Sequence, residues 1–389
     1  MLDRRLSRNT DRPFAVALSG GGDSLALTLI ADAWARANGR PMLILTVDHG
    51  LQAESAAWTR ACAAVAERLE RPFRALSWEG DKPATGLPAA ARRARHARLA
   101  DAARADGARV VLMGHTADDL AEAAAMRAAG STLPDPREWS PSPVWPEGRG
   151  VFLLRPLLDA RREDLRRALE ARGETWIEDP ANADLRFARS RARRTAPEPE
   201  ARREPAPLDL AAVADERAGV IRLPRAALRD APPDAARRVL ALAAVCAGGG
   251  ERTPAGVRLM RLAAAACGEA AFAATLAGAR IEADAREIRA FREAGEAARG
   301  GLAPVVLPAV WDGRFELQGP GEARRLAGLA RQLPPGQRAA LREAPAATRG
   351  GLPAVIHDGQ VTCPVLEGVP SLVGERFRAA AGLVTREPD

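Results

Sequence analysis

The chain has 389 residues, 47% of them apolar and 28% charged, with a formal net charge of +7. That length allows two or three domains with their own cores, and no apolar run reaches the ~18 residues that a helical membrane span needs. The four cysteines, Cys62, Cys246, Cys267 and Cys363, are far apart and form no C-x-x-C pair, which argues against a zinc site or a disulfide framework.

In chain order, the opening "MLDRRLSRNTDRPF" lacks the apolar core of a signal peptide, so a cytoplasmic protein without a membrane partner is expected. Residues 13–18 form a short buried strand pattern, and "SGGGDS" (19–24) leads into a helix over 24–39. Strands at 41–47, 72–78 and 108–114 then alternate with helices around 53–70, 88–106 and 117–129. This alternation predicts an α/β domain with a doubly wound parallel sheet. Residues 131–150 are crowded with proline and read as a long loop. A strand at "VFLLRPLL" and an arginine-rich helix over 161–172 follow.

"TAPEPEARREPAP" (195–207) has the composition of a linker. Beyond it, 208–297 reads as a mainly helical, alanine-rich domain. A small α+β domain with hairpins is expected over 302–389, because "AVWDGRFEL" and "AVIHDGQVTC" each place a D-G turn between apolar runs. The first domain is expected to span 1–195.

Three polar clusters fall just past predicted strands: Ser19 to Ser24, Asp48 to Gly50, and Gly114 to Asp119. In a doubly wound sheet these strand ends share one edge, where ligands bind. Glycines let backbone amides approach an anion, and a helix N-terminus adds partial positive charge. Ser19, Gly20, Gly21, Gly22, Asp23 and Ser24 therefore read as a phosphate cradle; as a mere turn, the segment would need only Ser24 or Asp23 as an N-cap. It is not a G-x-x-x-x-G-K-[ST] loop, since Lys82 is the only lysine.

Thr116 and Asp119 have capping-box spacing, yet Glu122 lies close enough for Asp118, Asp119 and Glu122 to share a helix face. Carboxylates gathered beside a phosphate cradle call for a cation, either Mg²⁺ or an ammonium. Asp48 could cap the next helix, and His49 and His115 could be core histidines; their common edge favours a site. Arg92 and Arg95 lie in one arginine run, and Arg186, Arg189 and Arg193 in a denser one. Each run is either a solvated face or a phosphate-contacting one. The Ala, Arg, Gly and Pro excess is also what a GC-rich genome produces, so charge alone does not single out a nucleic-acid partner.

"SGGGDS" resembles the pyrophosphate loop of the PP-loop ATPases. The blocks that follow, "VDHGL" (47–51), "AAARRARH" (89–96), "GHTADDLAEAAAMR" (114–127), "LLRPLLDARREDL" and "WIEDPANADLRFARSRAR", are similar in order to those of the tRNA(Ile)-lysidine synthase family. The sequence departs from the family pattern at His96 (a tyrosine in the family), Leu120 (glutamine), Ala123 (threonine), Ser190 (asparagine) and the "RAAGSTLP" stretch (127–134). The resemblance covers about 15–195.

It implies an adenine-nucleotide alpha-hydrolase-like fold and an ATP-dependent ligase. ATP and Mg²⁺ would be the cofactors, and free lysine and a tRNA(Ile) with a CAU anticodon the partners. Asp23, Asp48, His115, Asp119 and Glu122 would be catalytic. The glycine loop, His49 and Gly114 would bind ATP; Asp23 and Asp119 would hold Mg²⁺; Asp118, Asp119 and Glu122 would hold lysine. Arg92, Arg95, Arg186, Arg189 and Arg193 would contact tRNA. The alternatives are tRNA thiolation, disfavoured because Cys62 alone lies in the catalytic half; a glutamine-fed amidating synthetase; and a catalytically silent RNA-binding homologue.

Overall fold

The computed structural model describes residues 1–80, 82–131, 136–179, 191–193, 219–295 and 302–388, with the backbone alone for 213–215. The chain divides into two compact units, Met1–Pro205 with Val384–Asp389, and Ala206–Leu383.

The first unit is built on a six-stranded sheet of order β3-β2-β1-β4-β6-β5. Its strands are β1 (Phe14–Ala17), β2 (Met42–Asp48), β3 (Phe73–Ser77), β4 (Val110–Leu112), β5 (Trp139–Pro141) and β6 (Phe152–Leu154). All pair in parallel except β5, which runs antiparallel to β6. β1, β4 and β6 are apolar on both faces because helices cover both sides. The helices are α1 (Gly22–Asn38), α2 (Ser55–Arg68), α3 (Leu87–Ala105), α4 (Ala117–Ala128) and α5 (Arg162–Glu170). One core packs β1, β2 and β4 against α1 and α5, and the other packs their opposite faces against α3. The order reverses at β1, which lies between β2 and β4. That switch point opens a crevice at the carboxyl ends of these strands. β5 falls within the stretch read from sequence as loop.

The end of the chain belongs to this first unit. Glu387 accepts from Arg40 Nη2 at 3.0 Å and Nη1 at 3.2 Å, with both side chains buried. The Ser7 amide donates to the same carboxylate at 3.0 Å, and Trp139 Nε1 donates to the Val384 carbonyl at 2.8 Å.

The second unit, Ala206–Leu383, holds two hydrophobic cores, one of residues from 221–290 with Val373, Phe377 and Ala381 and one of residues from 307–365; the first is not purely helical. Residues 219–295 form three helices, α6 (Arg225–Asp230), α7 (Pro233–Ala247) and α8 (Val257–Cys267), beside an antiparallel sheet of order β7-β8-β11-β10-β9. These strands are β7 (Val213–Asp215), β8 (Val220–Pro224), β9 (Phe272–Leu276), β10 (Ala279–Ala283) and β11 (Glu287–Arg292). Alanine-rich strands carry a weak strand propensity, and packing against α7 overrides it. The expected D-G hairpins are present: β12 (Ala309–Trp311) with β13 (Phe315–Leu317), and β14 (Pro353–His357) with β15 (Gln360–Thr362). At the second, Asp358 and Gly359 both take positive φ (47° and 76°), as a two-residue type I′ turn requires.

Candidate active site

The crevice at the switch point is a cleft of about 480 Å³ whose walls include residues 17–19 and 21–24, Asp48, His49, Arg95, Gly114, His115, Asp119, Arg162 and Arg193. The three polar clusters expected at one edge are thus brought together. α1 is N-capped by Gly21, with no side-chain cap bond. Ser24 and Asp23 are therefore not caps, and the amides of the first helical turn stay available to an anion. Ser24 instead shapes the loop: its hydroxyl donates to the Gly21 carbonyl at 2.9 Å, lies 3.0 Å from the Ser19 hydroxyl and accepts from the Ser19 amide at 3.2 Å.

Two glycines are fixed by space. Gly20 has φ +86°, and a Cβ there would lie 2.3 Å from Ile177 Cδ1. The Ile177 amide donates to the Gly20 carbonyl at 2.9 Å, so residues 176–177 lie against the loop. Gly114 lets β4 approach α1: a Cβ there would lie 3.0 Å from Ser24 Cα and 3.1 Å from the Asp23 carbonyl.

Asp48 accepts from the Gly50 amide at 2.7 Å and so turns its own loop. His49 stands edge-on to Trp78, with its pKa lowered by burial and then by Arg95. Lys82 lies over the other ring of this pair and donates to the Gly50 carbonyl at 3.0 Å. His115 is buried in the cleft wall.

The acidic cluster departs most from expectation. Asp119 does close a capping box, Oδ2 accepting from the Thr116 amide at 2.7 Å and hydroxyl at 3.0 Å. Its Oδ1 faces Arg162 Nη2 at 3.4 Å. Arg162 also donates from Nε to Asp23 Oδ2 at 2.9 Å and from Nη1 to Glu122 Oε1 at 3.1 Å. The Glu122 side chain, 2% exposed, accepts a second guanidinium from Arg193 Nε at 2.6 Å. The carboxylates that converge are Asp23, Asp119 and Glu122. Asp118 does not join them: it accepts from the Arg162 amide at 2.7 Å and pairs with Arg161 at 3.6 Å. A carboxylate at the N-terminus of α5 satisfies that helix end, and this tertiary partner turns Asp118 out of the group that periodicity alone assigned it to.

Burial raises the Asp23 pKa, opposed by Arg162, and the carboxylates hold the Arg162 guanidinium firmly charged against its own desolvation. Asp23 Oδ1 is buried and has no hydrogen-bond partner among the described residues.

Arg193, read from sequence as a tRNA contact, is a cleft residue bound to Glu122. Arg92 and Arg95 both lie on α3, half-buried, and Arg95 reaches the cleft. Arg186, Arg189 and residues 132–134 of the altered stretch lie outside the described residues. Arg162 was missed: within "DARREDL" nothing distinguishes it from its arginine neighbours, and its three acidic partners are 40 to 139 positions away.

A profile of the PP-loop domain matches residues 2–198. The chain is 48% identical to the tRNA(Ile)-lysidine synthase of Caulobacter vibrioides over 408 aligned positions, covering 99% of this chain and 97% of that one. It is 40% identical to the enzyme of the same name from Hyphomonas neptunium, over 71% of this chain and 80% of that one. It is 32% identical to that from Ruegeria pomeroyi, over 86% and 84%.

Proposed function

The chain belongs to the tRNA(Ile)-lysidine synthase family, built on a PP-loop domain, and from that premise we propose that it ligates free lysine to C2 of the wobble cytidine of a tRNA(Ile) with a CAU anticodon, using ATP. The observation that carries the reading is the single cleft that holds both an α1 N-terminus without a side-chain cap and a group of converging carboxylates. One half suits a polyphosphate and the other an ammonium.

In the first step the C2 oxygen of cytidine attacks the α-phosphorus, the bond to the β-phosphate bridge breaks and pyrophosphate leaves. The amides of Gly21 to Ser24 and the hydroxyls of Ser19 and Ser24 bind the leaving pyrophosphate and stabilise its developing charge. In the second step the ε-amine of lysine attacks C2, the bond from C2 to the AMP oxygen breaks, AMP leaves and the amine proton passes to solvent. Asp119 and Glu122 hold the lysine through its ammonium groups, and the ε-ammonium loses one proton to solvent before the resulting amine attacks. Asp48 and His115, on the cleft wall, border the space in which the reacting atoms must meet. Arg92 and Arg95 on α3 serve the tRNA backbone.

Mg²⁺ fits this donor set. It binds through one or two carboxylates plus substrate phosphates, and Asp23 Oδ1 beside the glycine loop, without a hydrogen-bond partner among the described residues, is such a donor. Asp23, with Asp119, would hold the ion, which offsets polyphosphate charge when bound. A sulfur-transfer role suits the site poorly: Cys62 is buried, burial pushes its thiol pKa up, and the other three cysteines lie in the second unit.

The test is mass spectrometry of nucleosides from tRNA incubated with the protein, ATP, Mg²⁺ and lysine. Lysidine with release of pyrophosphate is expected. Unmodified cytidine, or a thiolated nucleoside when a sulfur donor is supplied, overturns the proposal.

A further inference from the structure

We infer that Trp176 and Ile177 are positioning residues for the glycine loop: together they hold the Gly20–Gly21 peptide and the first turn of α1 in the orientation that presents amides to a polyphosphate. The inference rests on the reading of that loop as the seat of ATP. Residues 174–179 belong to no helix or strand, so tertiary contacts place them. Arg68 on α2 donates to both oxygens of Glu174 at 2.7 Å, and Gln52 Nε2 donates to Asp179 Oδ1 at 3.2 Å. Between these two anchors lie Trp176 and Ile177, both against the loop.

Ile177 acts through its backbone. Its amide donates to the Gly20 carbonyl at 2.9 Å. In a trans peptide the carbonyl of one residue and the N–H of the next point in opposite directions. A Gly20 carbonyl held on Ile177 therefore turns the Gly21 N–H the other way. Glycine at φ +86° has little conformational preference of its own, and a flip of this peptide would put an oxygen where the anion needs a donor. Ile177 Cδ1, 2.3 Å from where a Gly20 Cβ would stand, fills the space beside the same glycine.

Trp176 acts through its ring. A Cβ on Gly22 would lie 3.5 Å from each of the indole Cγ, Cδ1 and Cδ2. Equal distances to three adjacent ring atoms mean that the face of the ring, not its edge, lies over Gly22, the first residue of α1. The ring keeps water off that side of the helix end, and a lower local dielectric strengthens the attraction between amides and phosphate. The indole is itself held. Its Nε1 donates to Glu178 at 2.7 Å, Glu178 pairs with Arg166 of α5 at 2.9 Å, and the Arg166 guanidinium stands 5.6 Å from the ring centroid.

The experiment is calorimetric titration of a non-hydrolysable ATP analogue with Mg²⁺ into the full-length protein, repeated with Trp176→Ala, Trp176→Phe and Glu178→Ala, followed by KM values for ATP and lysine. Trp176→Ala should weaken analogue binding by about tenfold, the scale of one hydrogen bond to a charged group. The ATP KM should rise to match, and the lysine KM at saturating ATP should hold. Loss of a core tryptophan alone would lower stability and leave the nucleotide affinity of the folded protein as it was. Trp176→Phe keeps an aromatic face over Gly22 and should recover most of the affinity. Glu178→Ala separates placement from charge. Removing a carboxylate from the wall of a polyphosphate cleft tightens binding if charge alone matters, whereas loosening the indole should weaken it by about threefold, the scale of one ordinary hydrogen bond. The Glu178 side chain is 60% exposed, so this variant decides the matter even if Trp176→Ala fails to fold. Wild-type analogue affinity in a folded Trp176→Ala, or unchanged or tighter binding in Glu178→Ala, overturns the inference. A wild type that binds the analogue but makes no lysidine overturns the proposed function alone, and one that binds no nucleotide overturns both.

Discussion

Two networks of arginine and carboxylate, one in each unit, show opposite solutions to buried charge. In the second unit Asp312 lies between Arg292 and Arg314, at 3.0 and 2.6 Å, and all three side chains are 2% exposed. Backbone carbonyls take up further donors of the two arginines: Arg292 Nη1 donates to Gly278 at 2.9 Å, and Arg314 donates to Gly351. In the cleft three carboxylates, Asp23, Asp119 and Glu122, share the one guanidinium of Arg162, and Asp23 Oδ1 has no donor among the described residues. A network closed by carbonyls fixes a fold. One with a buried carboxylate oxygen left without a donor among the described residues, beside a helix N-terminus that has no side-chain cap, keeps bonding capacity for a ligand.

The largest expected effect should break only the closed network. Asp312→Ala leaves two guanidiniums buried without their anion, a change that costs about 3–5 kcal/mol. The urea midpoint of the second unit should fall accordingly, while nucleotide binding to the first unit persists. A variant with wild-type stability would mean that the carbonyls alone suffice.

Asp23→Asn should do the reverse. Turnover should drop at least about a hundredfold, the scale on which one group that stabilises transition-state charge is felt, without loss of stability. The sign follows from the raised Asp23 pKa. In the window between the ordinary aspartate value and the raised one, the folded state binds more protons than the unfolded state. Stability therefore falls as pH rises through that window, and at neutral pH the charged carboxylate is a cost that asparagine removes. Normal pyrophosphate release by a folded Asp23→Asn variant would take the residue out of the chemistry.

Glu122→Gln comes next. It keeps the shape and loses the charge, so the lysine KM should rise about ten- to a hundredfold, matching roughly 1.5–3 kcal/mol for a charge-assisted bond. The KM for ATP at saturating Mg²⁺ should hold. An unchanged lysine KM would reduce Glu122 to an anchor for Arg162 and Arg193.

What the sequence reveals of this comparison is uneven. The glycine loop, the strand and helix alternation up to α4, and β6 are legible because their signals are local: periodicity, and glycines where backbone must come close. The roles of Asp118 and Asp119 are not, because both sit on one helix turn and only α5, packed from elsewhere in the chain, separates them. Arg162 and the Arg40–Glu387 pair, whose members are 347 positions apart, have no local signal at all, and Asp312 is legible only as a turn residue, not as the partner of Arg292 and Arg314. The sheet of the second unit is hidden differently. Alanine favours helix, and the turn that joins β9 to β10 uses Ala277 and Gly278, both at positive φ, where alanine is a poor marker of a turn.

The smallest effect concerns a group held without any network. His96 on α3 is buried, both ring nitrogens lack hydrogen-bond partners among the described residues, and its pKa falls to about 2. Burial is the main cause; Arg95, Arg92, Arg155 and His115 add to it. In the unfolded chain the same imidazole titrates near its ordinary value of 6.5. Below that pH the unfolded state takes up a proton that the folded state refuses, so stability is lost as pH falls, at about 1.4 kcal/mol per pH unit. At pH 5 the loss should reach about 2 kcal/mol. His49, also lowered by burial, contributes to the same slope and is untouched by a change at 96. His96→Tyr, which restores the tyrosine of the family block, should therefore flatten the dependence of the urea midpoint between pH 6.5 and 5 by about one proton without abolishing it. Six of the seven tryptophans lie in the first unit, so intrinsic fluorescence reports on the relevant transition. Any steric cost of the larger ring is independent of pH and moves the curve without changing its slope. An identical slope in the two proteins would mean that His96 gains its proton in the folded state after all, through a partner that forms only in solution.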